Sequence, residues 1–337
     1  MRGTNCALSH RSRYTIAQHI KYVFWKKILT SFRDVLILPV RGTRTPRLTV
    51  RQRLYITAWV LLVPAIALRV FTTVYPFVQT GLLSTQRYNP AFPPAQFVGL
   101  GNFERLANDP VVRASIGFTV MFVLASTFLQ LVFGMALAHL LNAPFRLRGL
   151  ARTLSLLPWA MPMVVVALAF RWMFDDQFGI IPDLLGRLGL EIRWLIDPNN
   201  AKLAVILVNV WKSTPFVALV LLAGLQGIPR DFYEAATVDG AGRWAQFRSI
   251  TLPLLQPILI TTAMFMLVWQ LAVFDLPYAM TGGAPGFSTT VLAQKIYQEI
   301  SALNYGYAAA ISMVLVAIVG IIGGVGLFLL RRAERQV

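Results

Sequence analysis

The sequence contains few charged residues. They make up 13% of its 337 positions, and hydrophobic residues make up 56%, whereas an average soluble domain carries about 25% charged residues. This composition excludes an ordinary water-soluble domain. The single cysteine, Cys6, excludes a disulfide within the chain.

Patterns typical of enzymes are scarce as well. The three histidines, at positions 10, 19 and 139, lack metal-binding spacing such as H-E-x-x-H, and no G-x-S-x-G sequence is present. The chain also lacks the G-x-x-x-x-G-K-[ST] loop that binds ATP phosphates. The best candidate for an intramembrane catalytic site is the pair Asp175 and Asp176, but no second acidic cluster accompanies it, and we interpret it as the polar end of a span. We therefore expect a protein that is not itself an enzyme and that binds no metal or cofactor.

Long apolar runs dominate what is present. A hydrocarbon core of about 30 Å needs roughly 20 apolar residues in a helix, and runs such as MVVVALAF do not alternate as the strands of a barrel would. We predict an all-α integral membrane protein with six transmembrane helices and one transmembrane domain over 54–330. The predicted spans are approximately 54–83, 114–141, 151–174, 203–226, 254–280 and 306–330.

The basic residues alternate between the loops. The two sets of polar segments are 1–53, 142–152, 227–250 and 331–337 on one side, and 84–113, 171–202 and 275–305 on the other. The first set holds 21 Lys and Arg, and the second holds eight against nine acidic residues. Because basic loops stay in the cytoplasm, we predict that both termini are cytoplasmic, in a bacterial inner membrane. The net charge of +17 follows this topology, so we expect no nucleic-acid partner.

The N-terminal segment 1–53 is predicted to be cytoplasmic and to contain an amphipathic helix over 14–40. Apolar residues recur at helical spacing from Ile16 to Leu36, and four basic residues interrupt them. Such a helix suits the membrane interface, where its cations meet anionic lipid headgroups. A seventh crossing is disfavoured, because four cations would be costly in hydrocarbon.

The polar connections differ in character. Segment 84–113 is rich in Pro, Gly and Asn and predicts a loop with one short helix. Segment 175–202 predicts broken, partly interfacial helices, and 331–337 a cytoplasmic tail. Loop 227–253, GIPRDFYEAATVDGAGRWAQFRSITLP, predicts a helix, a sharp turn at Gly240 and Gly242, and a second helix from about Trp244. A compact cytoplasmic element of this kind indicates a docking site for a partner.

The same loop carries a spaced motif. The pattern E-A-A, three residues, G, nine residues, I-x-L-P is matched from Glu234 to Pro253. It resembles the signature of permease subunits of ATP-driven binding-protein-dependent (ABC) importers. Further stretches (VGLGNFERLANDP, LPWAMP, VWKSTPF and VFDLPYAMTGGAPGFST) are similar to the carbohydrate branch, in particular the subunit type of the larger maltose permease, over roughly residues 55–330. Two features depart from that type: its large periplasmic insertion and extra early spans are missing, and the basic N-terminal helix is added.

The resemblance implies a mechanism and a set of partners. A second homologous permease, two cytoplasmic ATPases carrying ATP and Mg, and an extracytoplasmic solute-binding protein are expected. Closure of the ATPases would switch the permease between inward- and outward-facing states through loop 227–253. The residues implied in this coupling are Glu234, Ala235, Ala236, Asp239, Gly240, Leu252 and Pro253. The alternative for Glu234 is an exposed residue favoured near a helix N-terminus.

Polar residues inside spans are candidate substrate contacts. Lys212 and Ser213 lie within the fourth span, and Phe216 lies one turn beyond Lys212. On the fifth span, a second set follows at i, i+3, i+4 and i+7: Met266, Trp269, Gln270 and Val273. These positions match sugar-lining stretches of the resembled permease, although a Trp–Met face also suits plain packing.

The substrate itself is less defined by the sequence. Lys212, together with Arg69 in the first span, hints at an anionic oligosaccharide or a sugar phosphate. Either cation could instead pair with a carboxylate of a partner subunit, and Arg69 could also snorkel to the interface. The competing function is an ion-gradient-driven secondary transporter or channel. Such proteins usually show acidic residues within spans and inverted repeats, neither of which stands out, since Asp275 lies at a span end.

Overall fold

A computed structural model describes residues 49–334, and the predicted interfacial helix over 14–40 lies outside this range. The described part is helical apart from one pair of two-residue antiparallel strands, β1 and β2, which confirms the all-α class. The elements are α1 Val50–Ser84, β1 Gln86–Arg87, β2 Gln96–Phe97, α2 Gly101–Asn108, α3 Pro110–Asn142, α4 Arg148–Ser155, α5 Leu157–Ala160, α6 Met163–Met173, α7 Ile180–Arg187, α8 Pro198–Gly227, α9 Asp231–Val238, α10 Arg243–Gln246, a π-helical turn Phe247–Thr251, α11 Leu252–Leu271, α12 Asp275–Thr281, α13 Leu292–Ser301 and α14 Tyr305–Glu334.

The number of spans agrees with the sequence prediction. In the described range five helices are long and apolar enough to cross a membrane, and a bent helix pair makes a sixth if it counts as one span. The chain divides into two compact units, one ending at Arg69 and the other beginning at Val70. The contacts that build the candidate site all lie within the second unit.

The third span, predicted as one helix over 151–174, is broken. Helices α4 and α5 together meet α6 at an angle of 87°. Pro162 lacks a backbone N–H and disfavours helical geometry at the residue before it. Met161 is accordingly extended, with φ −71° and ψ 143°. The prediction of a continuous helix was wrong at this point.

The fifth span is also shifted from its predicted range of 254–280. A continuous helical stretch runs from Arg243 to Leu271, and Ala272 closes it before the separate short helix α12. The span therefore begins inside the loop predicted to be cytoplasmic and ends nine residues, about two and a half turns, before the predicted boundary.

Small residues let the central helices approach closely. A Cβ atom at Gly134 of α3 would lie 2.7 Å from Val217 Cγ1 of α8, and one at Gly224 of α8 would lie 2.6 Å from Ile258 Cδ1 of α11. Membrane helices associate through such close packing, since lipid supplies no hydrophobic driving force. Helix α8 is the most buried of the candidate spans, so it forms the centre against which the candidate site is built.

The outer end of α3 is fixed by Asp109. Its carboxylate caps the helix by accepting from the N–H groups of Val111 (2.8 Å) and Val112 (3.3 Å), and it accepts a hydrogen bond from Tyr307 Oη at 2.8 Å. Partial burial alone would raise the pKa of Asp109, but these hydrogen bonds, with the charge of Lys295, outweigh burial and hold the pKa below its ordinary value. Asp109 therefore joins α3 to α14.

Candidate functional site

The loop over 227–253 forms the predicted helix, turn and helix. Helix α9 ends in a left-handed glycine, Gly240, with φ +80°. The N–H of Ala241 donates to the carbonyl of Ala236 at 2.8 Å, and the N–H of Asp239 donates to that of Ala235 at 3.0 Å. This closure satisfies the last carbonyls of the helix in the way glycine C-caps usually do. The residues assigned to coupling therefore lie on one short helix and its cap, except Leu252 and Pro253.

Side-chain hydrogen bonds stiffen the loop. Tyr233 Oη lies 2.9 Å from Thr251 Oγ1, which joins α9 to the π-helical turn. Gln246 Nε2 donates to Thr237 Oγ1 at 2.9 Å and to the carbonyl of Ala241 at 3.0 Å, which joins α10 to α9. These bonds connect α9 to the start of the fifth span through α10 and the π-helical turn.

The outward surface of this loop is free for a partner. Glu234, Ala235 and Asp239 are exposed, and Ala236 is half-buried. Beside them Val238 is 88% exposed and Trp244 72% exposed. Large exposed apolar patches usually mark an interaction site, and these two side chains are candidates for such a patch. The geometry fits a docking surface, while the identity of the partner and the role of each residue remain predictions.

Leu252 and Pro253 lie where the loop joins the span. Pro253 lies in the first turn of α11, directly after the π-helical turn. A proline lacks the N–H of a helical residue and crowds the carbonyl four positions earlier, and the wider π turn relieves that crowding. The two residues therefore keep loop and span continuous, and their role in coupling stays a prediction.

Lys212 lies in the protein interior and contacts the break in the third span. Its Nζ donates to the carbonyl of Trp159 at 3.1 Å. This carbonyl is in the last turn of α5, where the break removes helical partners. Lys212 thus supports the broken span, and the neighbouring Ser213 is also buried. This arrangement was not predicted from the sequence, which gave Lys212 no partner within the chain.

Four aromatic rings form a continuous row across three spans. Trp159 of α5 stacks on Phe216 of α8, with centroids 5.6 Å apart. Phe216 contacts Phe265 of α11 at 5.7 Å, and Phe265 contacts Trp269 at 5.7 Å. The row includes Phe216 and Trp269, both candidates from the sequence. Trp159, Phe265 and Trp269 are each about half exposed, at 47%, 47% and 56%, so part of the row remains accessible in the isolated chain.

The other candidates on α11 point away from that row. Met266 and Gln270 are fully buried, and Val273 lies beyond the end of the helix. Trp269 and Gln270 are adjacent residues and so lie about 100° apart around a helix. Met266, Gln270 and Val273 are therefore shielded within this chain, whereas Trp269 is exposed. Contact of these four residues with the substrate stays a prediction.

Gln270 instead belongs to a buried polar triad that the sequence analysis missed. Asn209 Nδ2 donates to Gln270 Oε1 at 3.0 Å, Gln270 Nε2 donates to Gln130 Oε1 at 3.0 Å, and Gln130 Nε2 donates to the carbonyl of Asn209 at 3.3 Å. All three side chains are buried, and they link α3, α8 and α11. Lone amides within apolar runs at 130 and 209 were the signal for it.

The Asp175–Asp176 pair has a structural role. Asp176 accepts hydrogen bonds from the backbone N–H groups of Trp194, Leu195 and Ile196. The carboxylate therefore fixes the connection that leads into α8, in line with our interpretation of the pair as the polar end of a span. Within residues 49–334, no group of three or more His, Cys, Asp or Glu could hold a metal ion. Arg69 lies in α1, and its role stays a prediction.

The architecture is that of a multi-pass membrane protein with up to six spans, in which a capped, exposed loop continues into the fifth span. Residues 130–332 match the family described as "Binding-protein-dependent transport system inner membrane component". The chain belongs to this family and is a multi-pass inner-membrane permease subunit of an ABC importer.

Named relatives are similar over most of the chain. The "Sulfoquinovosyl glycerol transport system permease protein SmoG" of Agrobacterium fabrum is 41% identical over 266 residues, which cover 77% of this chain and 86% of the relative. The "Trehalose/maltose transport system permease protein MalF" of Thermococcus litoralis is 36% identical, with 76% and 87% covered. A chain of a bacterial alginate ABC transporter, solved in complex with an alginate pentasaccharide-bound periplasmic protein, superposes with a TM-score of 0.71 at 23% identity, with 82% and 94% covered. That likeness supports the fold, and the matches favour the ATP-driven importer over the ion-gradient-driven alternative.

Proposed function

We propose that this chain is the permease subunit of an ATP-driven carbohydrate importer and that its aromatic row, Trp159–Phe216–Phe265–Trp269, forms part of the wall along which the sugar crosses. The exposed row is the observation that carries the proposal. Aromatic faces suit the apolar faces of sugar rings, and the row runs across three spans beside a buried ammonium group. The two relatives described above are permeases for sulfoquinovosyl glycerol and for trehalose/maltose, which supports a carbohydrate as the cargo class.

The chain works within a larger assembly. A second homologous permease covers the exposed side of the aromatic row and completes the pathway. Two ATPases, which carry ATP and Mg, receive the docking surface of α9, and a solute-binding protein delivers the sugar on the opposite side of the membrane. This chain performs no catalysis. Both its termini are cytoplasmic, as the distribution of basic residues favours.

Lys212 gives the pathway a preference for anionic cargo. An ammonium group has three N–H donors, and among the described residues one of them is used, on the carbonyl of Trp159. The remaining donors are suited to a carboxylate or phosphate on the sugar. The buried position strengthens such an interaction, because screening by water is weaker there.

The test uses the complex reconstituted with the second permease, ATPases and binding protein, with sugar-stimulated ATP hydrolysis as the readout over a panel of neutral and acidic oligosaccharides. An aromatic contact contributes about 0.5–1.5 kcal/mol, so Trp269→Ala and Phe216→Ala should each raise the half-saturating sugar concentration roughly 2- to 13-fold. Trp172→Ala is the matched control, since Trp172 is exposed but contacts Phe178 outside the row. Equal responses of Trp269→Ala and Trp172→Ala would contradict the proposed wall.

The cargo charge is tested with Lys212→Met. We expect stimulation by acidic sugars to fall more than stimulation by neutral sugars. An equal loss for both classes would show that Lys212 acts only by holding the broken span.

A further inference from the structure

A basic cavity of about 710 Å³ lies between the docking loop and the cytoplasmic ends of α3, α4 and α8. Its volume is within the range of roughly 300–1,000 Å³ that is typical of sites for small ligands. Its lining includes Arg148, Arg152, Arg230 and Arg243, and the rest of the lining is neutral or apolar apart from His139.

The lining is cationic and contains no carboxylate. Its charge comes from four arginines, and amide and hydroxyl groups also line it. Arg152 is held in place, since its Nε and Nη2 donate to the carbonyl of Leu141 at 3.3 and 3.1 Å. The ion pairs found in the described part of the chain involve Arg187 and Lys295, so Arg148, Arg230 and Arg243 have no acidic partner there. Several guanidinium groups around one cavity repel one another unless an anion enters.

The position of the cavity indicates what kind of anion reaches it. Helix α4 carries Arg148 and Arg152 into the lining, while its neighbours Leu147, Leu150 and Leu154 are more than half exposed. An apolar surface next to arginines at the cytoplasmic end of the spans is typical of the depth at which lipid headgroups lie. The docking residues Glu234, Ala235 and Val238 are not part of the lining.

We propose that this cavity binds a phosphate-bearing anion and that its ligand is the phosphodiester headgroup of an anionic phospholipid in the cytoplasmic leaflet. Guanidinium groups form paired hydrogen bonds with phosphate oxygens, and arginine is favoured over lysine in such sites. The bound headgroup would bridge α4 to the start of α9 through Arg148 and Arg230. It would thereby stabilise the position of the docking loop relative to α4, independently of which sugar crosses the membrane.

The test compares lipid binding to the assembled complex by native mass spectrometry, with added phosphatidylglycerol or phosphatidylcholine. The double variant Arg148→Gln/Arg230→Gln removes two cavity cations. The matched control Arg146→Gln/Arg248→Gln removes two exposed arginines from the same two loops without touching the lining. A second arm adds inorganic phosphate and records the melting temperature of complexes in purely zwitterionic nanodiscs.

We expect wild type and control to retain phosphatidylglycerol in preference to phosphatidylcholine, and the cavity variant to bind it at least about tenfold more weakly, since two charge-assisted contacts are lost. A second outcome is that inorganic phosphate stabilises the wild type but not the cavity variant, and that no lipid is preferred. This result would retain the phosphate site and assign its ligand to a soluble source. Equal lipid retention by both double variants, together with no effect of phosphate, would overturn the proposal. Labelling of lipid-free complexes with an arginine-directed reagent is a further check. If the ATPases alone protect Arg148 and Arg230 from the reagent, the proposal is also overturned, because a protein carboxylate would then fill the cavity. Sugar-stimulated ATPase activity is recorded in parallel, so that failure of the lipid site is distinguished from failure of the transport function.

Discussion

The buried triad Gln130–Asn209–Gln270 predicts that Gln270 contributes to stability rather than to sugar contact. Replacing Gln270 by leucine, which has a similar volume, removes two hydrogen bonds of 3.0 Å. It leaves Asn209 Nδ2 and Gln130 Oε1 without their partner in the interior of the spans. Because Gln270 is buried, water cannot replace the lost contacts.

The expected loss can be bounded. A buried polar group left unsatisfied costs about 1–3 kcal/mol, which gives about 2–6 kcal/mol for the two groups. Hydrogen bonds between membrane helices average only about 0.6 kcal/mol, which gives a lower figure of about 1.2 kcal/mol. We therefore expect Gln270→Leu to reduce the free energy of unfolding by about 1.2 to 6 kcal/mol. The half-saturating sugar concentration of assembled complexes should stay unchanged.

The assay is equilibrium unfolding by SDS in mixed micelles, with sugar-stimulated ATP hydrolysis measured on the same preparations. The triple variant Gln130→Leu/Asn209→Leu/Gln270→Leu should lose less than the sum of the three single variants, because no unpaired partner remains. Additive single losses would refute the triad as a coupled unit. A normal stability of Gln270→Leu together with an altered sugar response would return Gln270 to the substrate path.

Two further predictions concern the loop cap and the outer end of α3. Gly240→Ala should destabilise the loop by about 1–2 kcal/mol, because a left-handed conformation is unfavourable for a side chain even though nothing lies within 4 Å of the added Cβ. Gly242→Ala, at φ −69°, should be nearly neutral, and equal losses in thermal unfolding would contradict the role assigned to the cap. Because the pKa of Asp109 is lower in the folded state, its contribution to stability is present above the unfolded value of about 3.9. That contribution is lost as the pH falls through the folded value, so Asp109→Asn should show a weaker dependence of melting temperature on pH below about pH 4, and an unchanged dependence would contradict the hydrogen-bonded role of the carboxylate.

The spans and the docking loop were predictable because each rests on a local signal. A run of about 20 apolar residues specifies a crossing, and Gly240 marks a helix cap by its own conformational freedom. The motif around Glu234 therefore identified a short exposed helix without any knowledge of tertiary contacts.

The features that were not predicted depend on contacts between distant segments, or on several local effects that act together. Pro158 and Pro162 were visible in LPWAMP, but a proline can kink a span as well as break it, and the break is supported by Lys212 from another helix. The triad joins residues up to 140 positions apart. The division of the α11 candidates into exposed Trp269 and buried Gln270 depends on which side of the helix faces α3 and α8, and helical spacing alone does not provide that information.

We expect the loop that contains Glu234 to couple this permease to the ATPases. Glu234 is exposed on α9, and no hydrogen bond or ion pair of its side chain is found within residues 49–334, so Glu234→Lys should leave the fold of the chain intact. Glu191→Lys makes the same charge change at an exposed site outside the loop. The decisive measurement is sugar-stimulated ATP hydrolysis and ATPase co-purification of complexes that carry each variant. We predict that Glu234→Lys abolishes stimulation or association while Glu191→Lys preserves both. Full association and stimulation with Glu234→Lys would show that the loop is only a connection between two spans.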